Sequence, residues 1–360
     1  MKKIVSTAPG RICLFGDHQD YLKLPVIACA INRFIRIEAT PNKKSVFDFN
    51  LLDLNKKTQI DFKSDFNNIA KGDFLRTALK VVRKIDCIPD MGYDIEIKSN
   101  IPINAGLSSS SALTLAWIQF LLEAFGSNQK PTPNLLAYLA YETEVLEQGS
   151  SGGKMDQYTI GLGNLIYLDT KDDAVTSFEK PLNNLVVGVS GVSKDTFGTL
   201  SFLKSNAWEA IDKVTQTIPK FKISKAKVED QDRYLNLLDE RQKPFLYAAI
   251  NNHAITQKAK VELQNEHPDL RRLGEMMSEH HYILKEYLKI TPPRIDKMIE
   301  NALNAGAFGA KIVGSGGGGC IVAIATPENE QEVINALLEA GAIDAFSAKI
   351  TAGANIKNYE

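Results

Sequence analysis

Residues 102–113 read Pro-Ile-Asn-Ala-Gly-Leu-Ser-Ser-Ser-Ser-Ala-Leu, and this stretch decides how the rest of the sequence is interpreted. Before it, residues 93–98 alternate apolar and charged side chains, which is typical of a half-buried strand. After it, an apolar segment runs to Gly126. Residues 101–122 carry no charge, but Pro102 and the serines favour a loop that leads into a buried helix over a membrane span. The order predicts strand, tight loop and helix.

The four consecutive serines, Ser108, Ser109, Ser110 and Ser111, stand where this helix is expected to begin. Unpaired backbone N–H groups at a helix start favour anions, and serine hydroxyls can add hydrogen bonds or hold a metal ion. Serine is also a preferred capping residue. Taken alone, the pattern leaves a phosphate site and a simple helix cap both open.

A glycine loop lies near the C-terminus, where five glycines occupy the six positions 314–319 between two apolar segments. So many glycines cost conformational entropy, so the backbone there is expected to need positive φ or close approach to a ligand or another segment. Neither this loop nor the serine loop ends in the Gly-Lys-Ser/Thr of a P-loop. A Walker-type nucleotide site is therefore not predicted.

Two further segments carry candidate functional groups. Residues 8–21 gather one cation, two carboxylates, an imidazole and a phenol, a mixture that suits a polyhydroxylated ligand, although a solvated turn with a packed His18 fits equally well. A helix predicted over 135–148 ends in the glycine-rich residues 149–153, which can bring a substrate close to Asp156. By itself, an aspartate after such a loop is usually a turn or cap residue.

Composition narrows the class of protein. The chain has 360 residues with 42 basic and 43 acidic side chains, so it lacks the basic excess that nucleic-acid binding requires. Four scattered cysteines without metal-ligand spacing indicate reduced thiols. The start lacks an apolar run of signal-peptide length, so we expect a cytoplasmic protein with no membrane partner. We place a soft domain boundary near Leu182, giving domains 1–182 and 183–360.

Together, in this order and at these separations, the segments resemble the motifs of the galactokinase, homoserine kinase, mevalonate kinase and phosphomevalonate kinase (GHMP kinase) superfamily. Residues 102–113 resemble its phosphate loop, and 309–320 its C-terminal glycine loop. Residues 10–21 and 153–158 are most similar to galactokinase-like sugar-1-kinases. The resemblance implies a two-domain α+β fold: an N-terminal domain like ribosomal protein S5 domain 2, a ferredoxin-like C-terminal domain, and an active site between them.

The resemblance also implies roles for individual residues. Asp156 is expected to accept the proton of the sugar's anomeric hydroxyl, and Arg11 to hold that carboxylate ionised and stabilise the transferring phosphoryl group. Ser110 and Glu144 are expected to hold Mg²⁺, although helix periodicity alone favours Glu147 over Glu144. The expected sugar contacts are Asp17, His18, Asp20 and Gly153. The expected nucleotide contacts are Gly106, Leu107, Ser108, Ser109, Ser110, Ser111, Gly316 and Gly317.

The implied function is ATP-dependent phosphorylation of a free hexose at its anomeric oxygen, with galactose the first candidate. Asp17 replaces the glutamate that touches sugar hydroxyls in galactokinases, which leaves N-acetylgalactosamine, fucose, galacturonate and arabinose open. Mevalonate kinase or another GHMP small-molecule kinase is the enzymatic alternative, since the glycine loop is similar to the mevalonate kinase version. A sugar- and ATP-sensing galactokinase relative is the non-enzymatic alternative. A monomer and a weak dimer both remain open, and His280 and His281 are assigned no role.

Overall fold

The computed structural model describes residues 3–179, 182–193 and 196–359. Their strands form two sheets. The strands are β1 (Lys3–Phe15), β2 (Val26–Pro41), β3 (Val46–Leu51), β4 (Lys56–Asp61), β5 (Tyr93–Ser99), β6 (Leu165–Asp169), β7 (Ala174–Ser177), β8 (Leu185–Val189), β9 (Gly309–Ile312), β10 (Cys320–Ile324), β11 (Asp344–Ala348) and β12 (Asn355–Tyr359).

The helices follow the strands singly or in consecutive groups along the chain. They are α1 (Phe74–Val82), α2 (Ser109–Phe125), α3 (Pro133–Tyr141), α4 (Met155–Leu162), α5 (Thr196–Thr217), α6 (Gln231–Leu235), α7 (Lys243–Leu263), α8 (Leu270–Glu286), α9 (Pro293–Asn304) and α10 (Glu330–Glu339). Among the described residues, none of the helices is long and apolar enough to cross a membrane.

The first sheet has the order β12-β1-β2-β5-β3-β4, and β6 pairs with β2 on one side and with β7 on the other. In β5 the buried Tyr93, Ile95 and Ile97 alternate with exposed neighbours, which confirms the predicted half-buried strand. Helix α2 packs on this sheet, and its Trp117 and Phe120 are fully buried. Because most residues of α2 from Ser111 onward are buried, the helix is held inside the domain.

The second sheet is antiparallel with the order β11-β8-β10-β9. Helices α9 and α10 pack on it closely, since Met298 and Leu337 would meet a Cβ added at Gly188 of β8. The predicted glycine loop, 314–319, joins β9 to β10. This sheet with helices packed beside it, next to a mixed sheet, is the predicted α+β fold.

The chain returns to the first sheet after the predicted domain boundary. Strand β12 pairs antiparallel with β1, from Lys3 opposite Tyr359 to Thr7 opposite Asn355. The prediction of a second domain over 183–360 did not foresee this return, and the boundary near Leu182 stays a prediction. Because the last strand closes the edge of the first sheet, both ends of the chain stabilise the same domain.

Candidate active site

A cavity of about 250 Å³ lies between the two sheets, and every predicted motif reaches it. Its walls come from the end of β1 and the turn that follows, the loop before α2, the segment after α3, the start of α4 and the loop between β9 and β10. Segments more than a hundred residues apart in sequence therefore meet at one place. Such a concave site with a few convergent polar groups is the usual form of a small-molecule site.

Arg11 and Asp156 form the best-defined contact in the cavity. Nε and Nη2 of Arg11 each lie 2.7 Å from Oδ1 of Asp156, and the arginine side chain is 5% exposed. The hydroxyl of Ser108 donates to the other carboxylate oxygen, Oδ2, at 2.5 Å. Since both oxygens of Asp156 are bound, the carboxylate is fixed in one orientation at the edge of the cavity.

The serine loop holds Arg11 from the other side. The carbonyl of Gly106 accepts from Nη1 of Arg11 at 2.5 Å, and the carbonyl of Leu107 accepts from its backbone N–H at 3.1 Å. Ser108 has a φ of 58°, and its side chain makes no capping bond to α2. Its hydroxyl therefore acts on Asp156 rather than as a helix cap.

Glu144 points into the protein because the helix changes its pitch there. The predicted helix over 135–148 is α-helical to Tyr141 and then forms a π-helical turn, Glu142–Leu146. The wider turn shifts the phase of the following residues, so Leu146 is exposed although simple periodicity places it in the core. The same shift buries Glu144 and leaves Glu147 bound to Lys80 and Lys84 outside.

The carboxylate of Glu144 is buried among neutral donors. It accepts hydrogen bonds from Ser111 at 2.6 Å, Thr114 at 3.1 Å and Gln157 at 2.5 Å. Burial, together with the charge of Asp156, raises the pKa of Glu144 to about 7 even though these donors oppose the shift. Among the described residues, the contacts of the Glu144 carboxylate are to these three neutral side chains and include no cation.

Ser110, the other predicted metal ligand, is exposed, and it lines the cavity together with Glu144. Within the described ranges, no group of three or more His, Cys, Asp or Glu side chains could hold a metal by itself. Hard oxygen donors of this kind and number nevertheless fit Mg²⁺, which usually takes one or two protein oxygens and completes its shell with water and substrate phosphate.

The predicted sugar contacts also line the cavity. Nδ1 of His18 lies 3.2 Å from the hydroxyl of Tyr21, and both rings are buried. Asp20 accepts from the backbone N–H groups of Tyr21 at 2.9 Å and Met155 at 3.4 Å. Burial and the nearby Asp156 raise the pKa of Asp20 to about 6. A Cβ on Gly153 would collide with the Asp20 carboxylate, so glycine is needed there for close approach.

Family models match most of these segments. The model for the GHMP kinases N terminal domain matches residues 72–164, and the model for the GHMP kinases C terminal domain matches residues 259–343. The chain belongs to the GHMP kinase superfamily. A further model, the galactokinase galactose-binding signature, matches residues 1–41 of this GHMP kinase.

The relatives of this GHMP kinase include mevalonate kinases and galactokinases. It is 28% identical to the mevalonate kinase of Thermococcus gammatolerans over 94% of each chain. It is 29% identical to the galactokinase of Pasteurella multocida over 91% of its own length and 86% of the relative's. The crystal structure of Lactococcus lactis galactokinase complexed with galactose superposes with a TM-score of 0.87 at 22% identity, covering 98% of this chain and 95% of that one. At that identity the structure shows the fold alone.

The structure places most of the predicted site residues of this GHMP kinase on the cavity, but three do not line it. Leu107 is one of them, since its side chain is fully buried. Gly314 and Ser315 of the glycine loop line the cavity. Gly316 instead packs on Ile290, and the N–H of Gly317 donates to the carbonyl of Ile290 at 2.7 Å. A nucleotide contact for Gly316 and Gly317 stays a prediction.

Sequence reasoning missed several participants in this site. Lys311 is fully buried and bound to Asp17, and the only signal for it was a lysine inside an apolar segment. Gln157, which donates to Glu144, lies beside the predicted Asp156. His280, which was assigned no role, is fully buried and stacks on Phe15 with ring centroids 6.3 Å apart.

Proposed function

We propose that this GHMP kinase is a galactokinase that transfers the γ-phosphoryl group of ATP to the anomeric oxygen of galactose. The observation that carries the proposal is the fixed Asp156 carboxylate, held by Arg11 and Ser108, in one cavity with Asp20 and His18. The match of residues 1–41 to the galactose-binding signature supports the same substrate.

Charge in the cavity favours a neutral acceptor. Among the described lining residues there are four acidic side chains and one arginine, and that arginine is already bound to Asp156. Among the lining residues that the structure describes, no lysine or unpaired arginine is available for the carboxylate of mevalonate or galacturonate, and Asp20 and Asp156 would repel it. A neutral hexose can instead donate its hydroxyls to Asp20.

In the proposed reaction, Asp156 and Arg11 have distinct roles. The anomeric hydroxyl of the sugar gives its proton to Asp156 while its oxygen attacks the γ-phosphorus, and the bond from that phosphorus to the bridging oxygen of ADP breaks. Arg11 remains next to both the carboxylate and the phosphate loop, so it can stabilise negative charge on the transferring group. Phosphoryl transfer needs this positioning and charge neutralisation more than covalent chemistry by the protein.

The start of α2 is the proposed nucleotide site. Ser109 and Ser110 line the cavity there, and the backbone N–H groups of the helix start favour phosphate. Ser110 and Glu144 are the residues proposed to hold Mg²⁺. When bound, that ion neutralises phosphate charge.

The test is ADP release on addition of galactose, N-acetylgalactosamine, fucose, galacturonate, arabinose or mevalonate, followed by phosphorus NMR of the product. We expect galactose 1-phosphate from the best substrate and little activity on mevalonate or galacturonate. A 6-phosphate product, or activity on mevalonate and no sugar, contradicts the proposal.

The second candidate function is mevalonate kinase, which relatives such as the mevalonate kinase of Thermococcus gammatolerans favour. Turnover of any substrate excludes a purely sensing role.

A further inference from the structure

Asp17 stands in the motif that resembles the galactose-binding signature, yet both of its oxygens are already bound within the protein. Oδ2 lies 2.5 Å from Nζ of Lys311, and Oδ1 accepts from the backbone N–H of Gly314 at 2.8 Å. The side chain of Asp17 is 2% exposed and that of Lys311 is 0% exposed. A carboxylate in this position has little capacity left for a sugar hydroxyl.

Lys311 joins the two sheets at this point. It lies in β9 of the second sheet, and its ammonium also donates to the carbonyl of Cys13 in β1 at 3.1 Å. Burial by itself would raise the pKa of Asp17, but the lysine and the N–H of Gly314 outweigh it, so that the pKa is lowered. Burial lowers the pKa of the neighbouring His280 to about 3, so that ring is neutral near pH 7 and Lys311 supplies the compensating charge.

The bond to Gly314 fixes the first residue of the glycine loop. That loop packs directly against the serine loop: a Cβ on Gly314 would lie 3.3 Å from the carbonyl oxygen of Gly106, and one on Gly319 would lie 2.8 Å from that of Ala105. Gly106 in turn holds Arg11. The position of Gly314 is therefore coupled to the backbone on which the nucleotide phosphates are proposed to lie.

We propose that Asp17 is a positioning residue for the nucleotide loops and not a sugar ligand. Through Gly314 it holds the glycine loop against the serine loop, and Lys311 supplies the charge that keeps the carboxylate buried there. The inference deepens the proposed function and rests on it for the identity of the sugar. It predicts that loss of the Asp17–Gly314 bond weakens nucleotide binding and leaves galactose binding unchanged.

Two double variants test this without leaving a buried charge unpaired, which is the change most harmful to folding. Both carry Lys311→Met. One adds Asp17→Asn, whose side-chain oxygen can still accept from Gly314, and the other adds Asp17→Ala, which cannot. Binding is measured by calorimetry with Mg²⁺ and the non-hydrolysable analogue adenosine 5′-(β,γ-imido)triphosphate, and separately with galactose. Folding of each is checked by circular dichroism.

We expect the alanine variant to bind the ATP analogue about fivefold to tenfold more weakly than the asparagine variant, the usual effect of one lost hydrogen bond. Galactose affinity should agree within about twofold, since neither side chain contacts the sugar. Weaker galactose binding with unchanged nucleotide binding makes Asp17 a sugar ligand and overturns the proposal. Equal losses for both ligands, or no difference, also overturn it. If the unmodified protein binds no galactose, the galactokinase proposal fails, whereas the nucleotide comparison still decides the role of Asp17.

Discussion

The hydroxyl of Ser108 lies 2.5 Å from Oδ2 of Asp156, across 48 residues of sequence. Ser108 therefore donates a hydrogen bond to the proposed base, whereas Ser111 donates one to Glu144 at 2.6 Å. Ser109 and Ser110 are the members that line the cavity without such a bond to either carboxylate in the contacts described. Four identical residues thus occupy distinct environments, because successive positions at a helix start point in different directions.

Asp156→Asn removes the proposed proton acceptor and keeps the size of the side chain. We expect kcat with the best sugar to fall by a factor on the order of 10² to 10⁴, the usual contribution of a general base. Nucleotide affinity by calorimetry should change little. A near-normal kcat would show that Asp156 is not the base.

The Arg11 variants provide a control for that experiment. Arg11→Lys keeps a positive charge but loses the planar fork that binds Asp156, so it should reduce kcat less than Arg11→Ala. Equal losses in both variants would mean that the geometry of the fork matters more than its charge.

Ser108→Ala removes the hydrogen bond that orients Asp156. We expect a fall in kcat of about tenfold, with little change in the KM for ATP, because the hydroxyl contacts the carboxylate. Ser109→Ala is the comparison variant: Ser109 is a proposed nucleotide contact with no such bond to Asp156 among those described, so its loss should affect the KM for ATP rather than kcat. A raised KM for ATP with unchanged kcat in Ser108→Ala would instead support the sequence-based assignment of Ser108 to the nucleotide.

Ser110→Ala and Glu144→Gln should each raise the Mg²⁺ concentration that gives half-maximal rate, because each removes a proposed oxygen ligand or its charge. Glu147→Gln is the control: Glu147 lies on the same helical segment but forms ion pairs with Lys80 and Lys84. If Glu147→Gln raises the Mg²⁺ requirement and Glu144→Gln does not, the assignment of the metal site to the buried glutamate fails.

Gly153→Ala should displace the Asp20 carboxylate and raise the KM for galactose by about tenfold or more, because the added methyl group would collide with it. Gly152→Ala is a matched control one residue away, where the nearest neighbour of the added Cβ is a side-chain carbon of Val145 at 3.7 Å. Equal KM values for the two variants would argue against a role of Asp20 in sugar binding.

The raised pKa of Asp20, about 6, predicts a pH dependence with a defined sign. The unfolded chain releases this proton near pH 3.8, so the folded protein alone holds it between there and about 6, and this stabilisation is lost as the pH rises through about 6. Asp20→Asn should therefore stabilise the free protein at pH 8 by about 2 kcal/mol, which allows for partial burial, and have little effect near pH 4. Thermal unfolding at the two pH values measures it.

The sequence predicted the superfamily well, because its motifs are local patterns. The serine loop, the glycine loop and residues 10–21 gave the superfamily, which the family models confirm, and Gly126 ended α2 as expected. The choice between Glu144 and Glu147 could not come from periodicity, because a π-helical turn breaks the period at that point. The cytoplasmic location and the choice between monomer and weak dimer stay predictions.

The sequence by itself determined the order of elements and the identity of the chemical groups, because the glycine, serine and apolar patterns act over a few residues. Only the tertiary structure decided which groups meet. Arg11 and Asp156 are separated by 145 residues, and Asp17 and Lys311 by 294. These pairs form because β1 lies inside the first sheet while β9 brings Lys311 from the second, and a buried charge is stable only beside its partner. No local pattern records which distant partner that is.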